Sequence, residues 1–240
     1  MLFRGKLLKN KIIAIVTNLL ICAIIIATAV VGFYGSSAVT VSDSGENVYY
    51  GSHSESEVSL MFNVYQGTEY VYKILDTLDE YGAKATFFIG GSWADDNVDC
   101  VRDIFSRGHE IASHGYFHKD HSALSYDENV AEIEPSVRLL EMICGDKVKL
   151  FAPPSGAFDE FTVNACATLG LKVIMWSKDT IDWRDKDSDL IFSRATKNLR
   201  GGDFVLMHPT QATVSALPRI LGYIRKCGLA ACTVSHSLGE

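Results

Sequence analysis

Val58-Ser59-Leu60-Met61-Phe62-Asn63-Val64 is a β-rich run, and Tyr70–Tyr81 follows it with Ile74, Leu75 and Leu78 at helical spacing. The same strand-then-helix unit recurs to the end of the chain. Ala85–Ile89 precedes a helix near Asp95–Arg107. The strand Glu110-Ile111-Ala112 precedes a long helix over Tyr126–Ile143, whose Asp127 and Glu128 suit a positive first turn. Leu150-Phe151-Ala152 leads to a helix near Phe161–Leu169, and Lys172–Trp176 to one over Ser188–Asn198. Phe204–Met207 leads to a helix over Leu217–Cys227, and Leu229–Val234 is the last strand. Gly82, Gly108, Gly170 and Gly228 each close a helix. Seven strands with six intervening helices imply a parallel α/β sheet, closed as a barrel or open and doubly wound. In either form, side chains at the strand C-termini meet on one face, and Asn63, His114, Pro153, Asp179 and His208 all fall there.

The chain has 240 residues, 48% of them hydrophobic, enough for one domain with a sizeable core and an appendage. The appendage is N-terminal. Residues 1–11 hold Arg4, Lys6, Lys9 and Lys11, and an uncharged run of 23 residues, Ile12 to Tyr34, follows. That run exceeds a signal-peptide core and suffices to cross a bilayer, so an uncleaved transmembrane helix is expected, with secretion after signal cleavage as the alternative. No basic residue follows until Lys73, which puts the N-terminus in the cytoplasm and the rest outside. Residues 35–57, rich in Ser, Gly and Val, read as a flexible tether, and 58–240 as the domain. Beyond the four early cations the chain holds 18 basic against 29 acidic residues, which excludes nucleic acid as a partner. Cys22 lies in the span, and the other five cysteines show no CxxC spacing. One disulfide is compatible with an extracellular domain, but nothing pairs them.

In Ser113-His114-Gly115-Tyr116-Phe117-His118 two imidazoles stand four residues apart just after a strand. Such a pair can converge on one divalent metal if the backbone turns helically. No glutamate follows His114, so the pattern is not that of a zincin-type metalloprotease.

Taken in order, the strand ends resemble the polysaccharide deacetylase family, carbohydrate esterase family 4 with its NodB-homology domain, nearest its sporulation-associated branch. Lys84-Ala85-Thr86-Phe87-Phe88 resembles the second strand. Gly108-His109-Glu110-Ile111 leading to His114 and His118 matches the metal motif. Pro153-Pro154-Ser155-Gly156 matches the third motif, Trp176-Ser177-Lys178-Asp179-Thr180-Ile181-Asp182-Trp183 the fourth, and Leu206-Met207-His208 the fifth. The resemblance implies a NodB-type distorted (β/α) barrel of about seven strands and a bacterial hydrolase of non-peptide carbon–nitrogen bonds. Its substrate would be an N-acetylated glycan, by default the peptidoglycan that an anchored extracytoplasmic domain faces. It implies His114 and His118 as ligands of a divalent metal, with zinc expected, which would polarise the acetyl carbonyl and activate water. His208 would protonate the leaving amine, with Asp179 holding its tautomer. Trp183, Trp176 and Pro154 would line the sugar groove. His109 is assigned to structure, His121 to a solvated loop with an extra metal ligand as the alternative, and Asp182 to structure rather than chemistry.

The chain departs from the family in its first and third motifs. Its first motif, Thr-Phe-Asp-Asp-Gly, is replaced by Met61-Phe62-Asn63-Val64, so Asn63 stands where the base belongs and Val64 where the carboxylate ligand belongs. An amide takes no proton at neutral pH. The arginine that opens the third motif is Ala152. The losses are consistent, because a buried guanidinium without its carboxylate is costly. Two readings follow: an enzyme that recruits another carboxylate, with Glu69 as ligand or base and Asp120 as a second candidate, or a glycan-binding pseudoenzyme. Glu69 as a mere helix cap is a further alternative.

Overall fold

A computed structural model describes residues 47–240. The expected span Ile12–Tyr34 lies outside the described residues, and among these no helix is long and apolar enough to cross a membrane. The strands are β1 (Val48–Tyr49), β2 (Glu57–Val64), β3 (Thr86–Ile89), β4 (Glu110–Ser113), β5 (Leu150–Phe151), β6 (Lys172–Ile174), β7 (Lys178–Asp179), β8 (Phe204–Met207) and β9 (Ala230–Cys232). The helices are α1 (Thr68–Glu80), α2 (Gly91–Asp96), α3 (Val98–Ser106), α4 (Tyr126–Cys144), α5 (Glu160–Thr168), α6 (Ser188–Thr196), α7 (Gln211–Lys226) and α8 (Val234–Ser237).

One sheet forms in the order β1-β6-β5-β4-β3-β2-β8-β7, with β9 on the lower part of β2. Every strand pair is parallel. The parallel α/β expectation holds, with nine short strands among the described residues rather than about seven. The additions are β1 and β7, two residues each, too short for any periodicity.

Strand β2 shows how the sequence builds both sides of the sheet. Its alternate residues Val58, Leu60, Phe62 and Val64 join the core packed beneath the helices, whereas Met61 joins a second, inner cluster with Phe88, Ala112, Leu150, Phe204 and Leu206. Burial on both faces is what a strand inside a parallel sheet requires. Helix α4 starts at Ser125, whose hydroxyl and the Glu128 carboxylate form a capping box, and stops at Gly145 with φ 69°.

The tether assignment ends too late. Residues 47–52 belong to the domain: Val173 N–H donates to Asn47 O at 2.9 Å and Met175 N–H to Tyr49 O at 2.7 Å, while Ser52 N–H donates to Gly202 O at 2.9 Å. Gly51 also bridges Asp203, just ahead of β8, so this segment links the β1–β6 edge to the other side of the sheet. A Cβ on Gly202 would lie 2.3 Å from Ser52 O, which explains the glycine there. Helix α7 begins six residues before the expected Leu217, at a Thr210 cap, and runs through Pro218. The five cysteines among the described residues are all free.

Candidate functional site

The strand C-termini open into one groove of about 1150 Å³, lined among others by Asn63, Glu69, His114, His118, Trp176, Asp179, Asp182, Trp183 and His208. Most of the expected residues are therefore brought together.

His114 leaves β4 with its N–H on Ile89 O at 3.0 Å and its Nδ1 2.7 Å from Ala152 O. A carbonyl only accepts, so Nδ1 carries the proton and Nε2 keeps its lone pair. The ring is buried, and burial, then the neighbouring His118, pushes its pKa down to about 3. His114 is therefore neutral and ready to ligate at any physiological pH. His118 stands with its ring centroid 5.1 Å from that of His114 and 5.0 Å from Tyr65. Its pKa is also lowered, by desolvation first. The donor set suits a divalent metal as a two-nitrogen site. Among the described residues no group of three or more His, Cys, Asp or Glu side chains converges in metal-holding fashion.

The position of the missing base is filled but idle. Asn63 is 4% exposed, lines the groove, and its Oδ1 has no hydrogen-bond partner. Val64 is fully buried in the helix-side core, and Ala152 in the inner cluster. Glu69 sits exposed in the first turn of α1, on the groove wall. The residue before the helix, Gly67, supplies no side-chain cap; its φ is 80°, and a Cβ there would meet Pro209 O at 2.4 Å. Asp120 does not line the groove: its Oδ1 accepts from Ser122 N at 3.1 Å and Ser122 Oγ at 2.6 Å.

Opposite lies His208, and here the sequence assignment needs correcting. Its partner is Asp182, not Asp179. Asp182 Oδ1 lies 2.8 Å from His208 Nδ1, and Oδ2 accepts from His208 N–H at 2.7 Å and from Thr213 Oγ1 at 2.5 Å. The carboxylate is 1% exposed. It fixes the Nδ1–H tautomer and leaves Nε2 free for chemistry. Asp179 instead accepts Ile181 N–H at 2.8 Å, in a turn where Ile181 has φ 54°. That left-handed residue reverses the chain between the two acids and brings the second one back under His208.

Two further corrections concern neighbours. Pro154 is buried and does not line the groove; Ser155 does. His121 is fully buried, with Nδ1 2.7 Å from Asn129 Oδ1, and is no solvated loop residue. His109 is structural as expected, its Nδ1 accepting Ala85 N–H at 3.3 Å. Trp183 stays 60% exposed at the groove edge. Thr213 and Glu132 escaped the sequence reading. A buried acid such as Glu132 is visible as a charge on the apolar face of α4, among Ile133, Ser136, Val137 and Leu140.

Comparison with known proteins agrees with this geometry. The polysaccharide deacetylase family matches residues 50–174. Protein YlxY of Bacillus subtilis is 34% identical over 81% of this chain, which spans 61% of that relative's length. A peptidoglycan-N-acetylglucosamine deacetylase of Bacillus cereus is 30% identical over 77% of this chain and 69% of its own. Among solved structures, a CE4 family pseudoenzyme from Bacillus anthracis superposes with a TM-score of 0.78 and 33% identity, covering 80% of this chain and 68% of that one. A mutant of that pseudoenzyme has restored enzymatic activity. The match over more than half of the chain, the parallel α/β sheet and the five strand-end motifs agree: the chain belongs to the polysaccharide deacetylase family.

Proposed function

We propose that this chain acts on the acetamide groups of N-acetylated peptidoglycan glycans, as a deacetylase slowed by loss of its base. The observation that carries the reading is the buried Asp182–His208 clamp facing a neutral imidazole pair across one groove. His114 and His118 would hold a divalent metal, zinc by their donor chemistry, which polarises a carbonyl and acidifies bound water when present. The His208 imidazole, held by Asp182 through Nδ1, is placed to deliver a proton from Nε2 to the departing amine. Trp183 and Trp176 offer aromatic faces to the sugar rings. Asn63 can accept a hydrogen bond from the attacking water but cannot remove its proton, which leaves Glu69 on the groove wall or bulk water to take it.

A second reading, a glycan-binding pseudoenzyme, is favoured by the unpartnered Asn63 Oδ1 and the apolar Val64 and Ala152. The likeness to the Bacillus anthracis pseudoenzyme supports it too. The deciding experiment measures zinc content, and acetate release from N-acetylglucosamine oligomers, on the detergent-extracted chain. Slow acetate release that disappears in His208→Ala supports the enzyme. Glycan binding with no acetate release supports the pseudoenzyme.

The anchor belongs to the same proposal. The uncharged run Ile12 to Tyr34, with four cations before it and none after until Lys73, favours a single-pass membrane protein whose domain lies outside the cell membrane. A mature N-terminus near residue 35 would instead mark a secreted protein.

A further inference from the structure

The loop from Gly115 to Lys119 carries His118, yet it contains no regular structure, and His118 itself has φ 57°. A non-glycine residue holds that conformation only when its surroundings impose it. They do so from two sides. From the start of α2, Gly91 N–H donates to Gly115 O at 2.9 Å and Ser92 N–H to Tyr116 O at 3.0 Å. From the middle of α4, Glu132 takes the rest: its backbone carbonyl accepts Tyr116 N–H at 3.1 Å, and its Oε1 accepts Phe117 N–H.

Glu132 is an unusual residue to spend on this task. It is 2% exposed, on the buried face of its helix. Among the described residues its only cationic partner within ion-pair distance is Lys119, at 3.8 Å from Oε2, and that ammonium is half exposed. A buried carboxylate with so loose a counter-ion leaves negative charge unbalanced behind the histidine loop. The approach is close: a Cβ on Gly115, whose φ is 74°, would lie 3.6 Å from Glu132 Oε1 and 3.1 Å from His121 Nε2. The unbalanced charge lies behind a groove in which the two positions that are acidic in the family's first motif are the neutral Asn63 and Val64.

We propose that Glu132 is the positioning residue of the imidazole pair, and that its buried charge stabilises a dication at His114 and His118 in place of the missing carboxylate ligand. The charge role rests on the metal reading above; the positioning role does not. Both are tested on the full chain in detergent, by Zn²⁺ titration and by amide hydrogen exchange of the metal-free protein.

Glu132→Gln keeps an acceptor for Phe117 N–H and removes only the charge. Its melting temperature and Phe117 protection should match the parent, while Zn²⁺ affinity falls by about 10-fold or more, as for other outer partners of metal ligands. Lys119→Met should act in the opposite direction and raise Zn²⁺ affinity, which a purely structural role would not do. Unchanged affinity in both variants overturns the charge role. Glu132→Met, of similar size but without an acceptor, should speed exchange at Phe117 in metal-free protein, and unchanged protection there overturns the positioning role. A parent chain that takes up no Zn²⁺ overturns the metal reading and the charge role together, leaving the exchange result to judge positioning alone.

Discussion

The two walls of the groove differ in how their polar groups are satisfied. On the His208 wall a fully buried carboxylate takes three hydrogen bonds, from a backbone N–H, an imidazole and a hydroxyl. On the Asn63 wall the amide oxygen has no partner, and the other two replaced positions, Val64 and Ala152, are apolar and buried in the helix-side core and the inner cluster. A buried charge is stable only with its partners, and removing one member leaves the others costly. The acid wall is therefore all present, and the base wall is all gone. Remodelling by whole networks, rather than by single residues, is what that physics favours.

The largest effect should come from breaking the intact wall. Asp182→Ala strands three donors at once and should cost about 3–5 kcal/mol of stability. Asp179→Asn, whose side chain only caps its own turn, should stay within about 0.5 kcal/mol. Denaturant midpoints of the two variants check this, and equal losses would mean that the acids share the role.

Next comes adding charge to the depleted wall. Val64→Asp places a carboxyl in the fully buried helix-side core and should cost about 3 kcal/mol in metal-free protein. Zn²⁺ should recover part of that loss if the new group reaches His114 and His118. Thermal melts with and without the metal read it directly, and no recovery would show that the chain direction at residue 64 has closed that route.

The smallest effect tests an unpartnered polar group far from either wall. His109 Nε2 is buried without a partner, and burial, then Lys84, pushes the ring's pKa down to about 4. The unfolded chain therefore binds the extra proton at higher pH than the folded one. Stability contributed by the neutral ring is complete above about pH 6.5 and falls as pH drops toward 4, by roughly 2 kcal/mol at pH 5. His109→Gln should flatten the slope of stability against pH by that share; an unchanged slope would assign the acid sensitivity to other histidines.

Much of this was legible in the sequence, and the failures share a cause. Strands such as β2 and β8 and helices such as α4 announce themselves because each is long enough to show a period or a cap. The histidine pair was found because strand ends in a parallel sheet must converge. What failed was decided by single backbone turns. Asp179 and Asp182 are chemically equal in sequence, and only the left-handed Ile181 between them determines which one meets His208. His121 looked solvated because it lies in a polar loop, yet Asn129 on the following helix and Phe151 on β5 enclose it. The helix expected from Leu217 begins instead at Gln211, after a Thr210 cap, and carries Pro218 in its interior.

The segment from Asn47 to Ser52 has a mechanical meaning. It is bonded to β6 on one side and to the Gly202–Asp203 turn on the other, so it acts as a strap across the open sheet. The β6 edge cannot part from that turn along this seam unless the strap lets go first. Tension arriving along the chain from its N-terminal side would load those few hydrogen bonds before any long strand. Such a pull would meet these six residues before it reached β2.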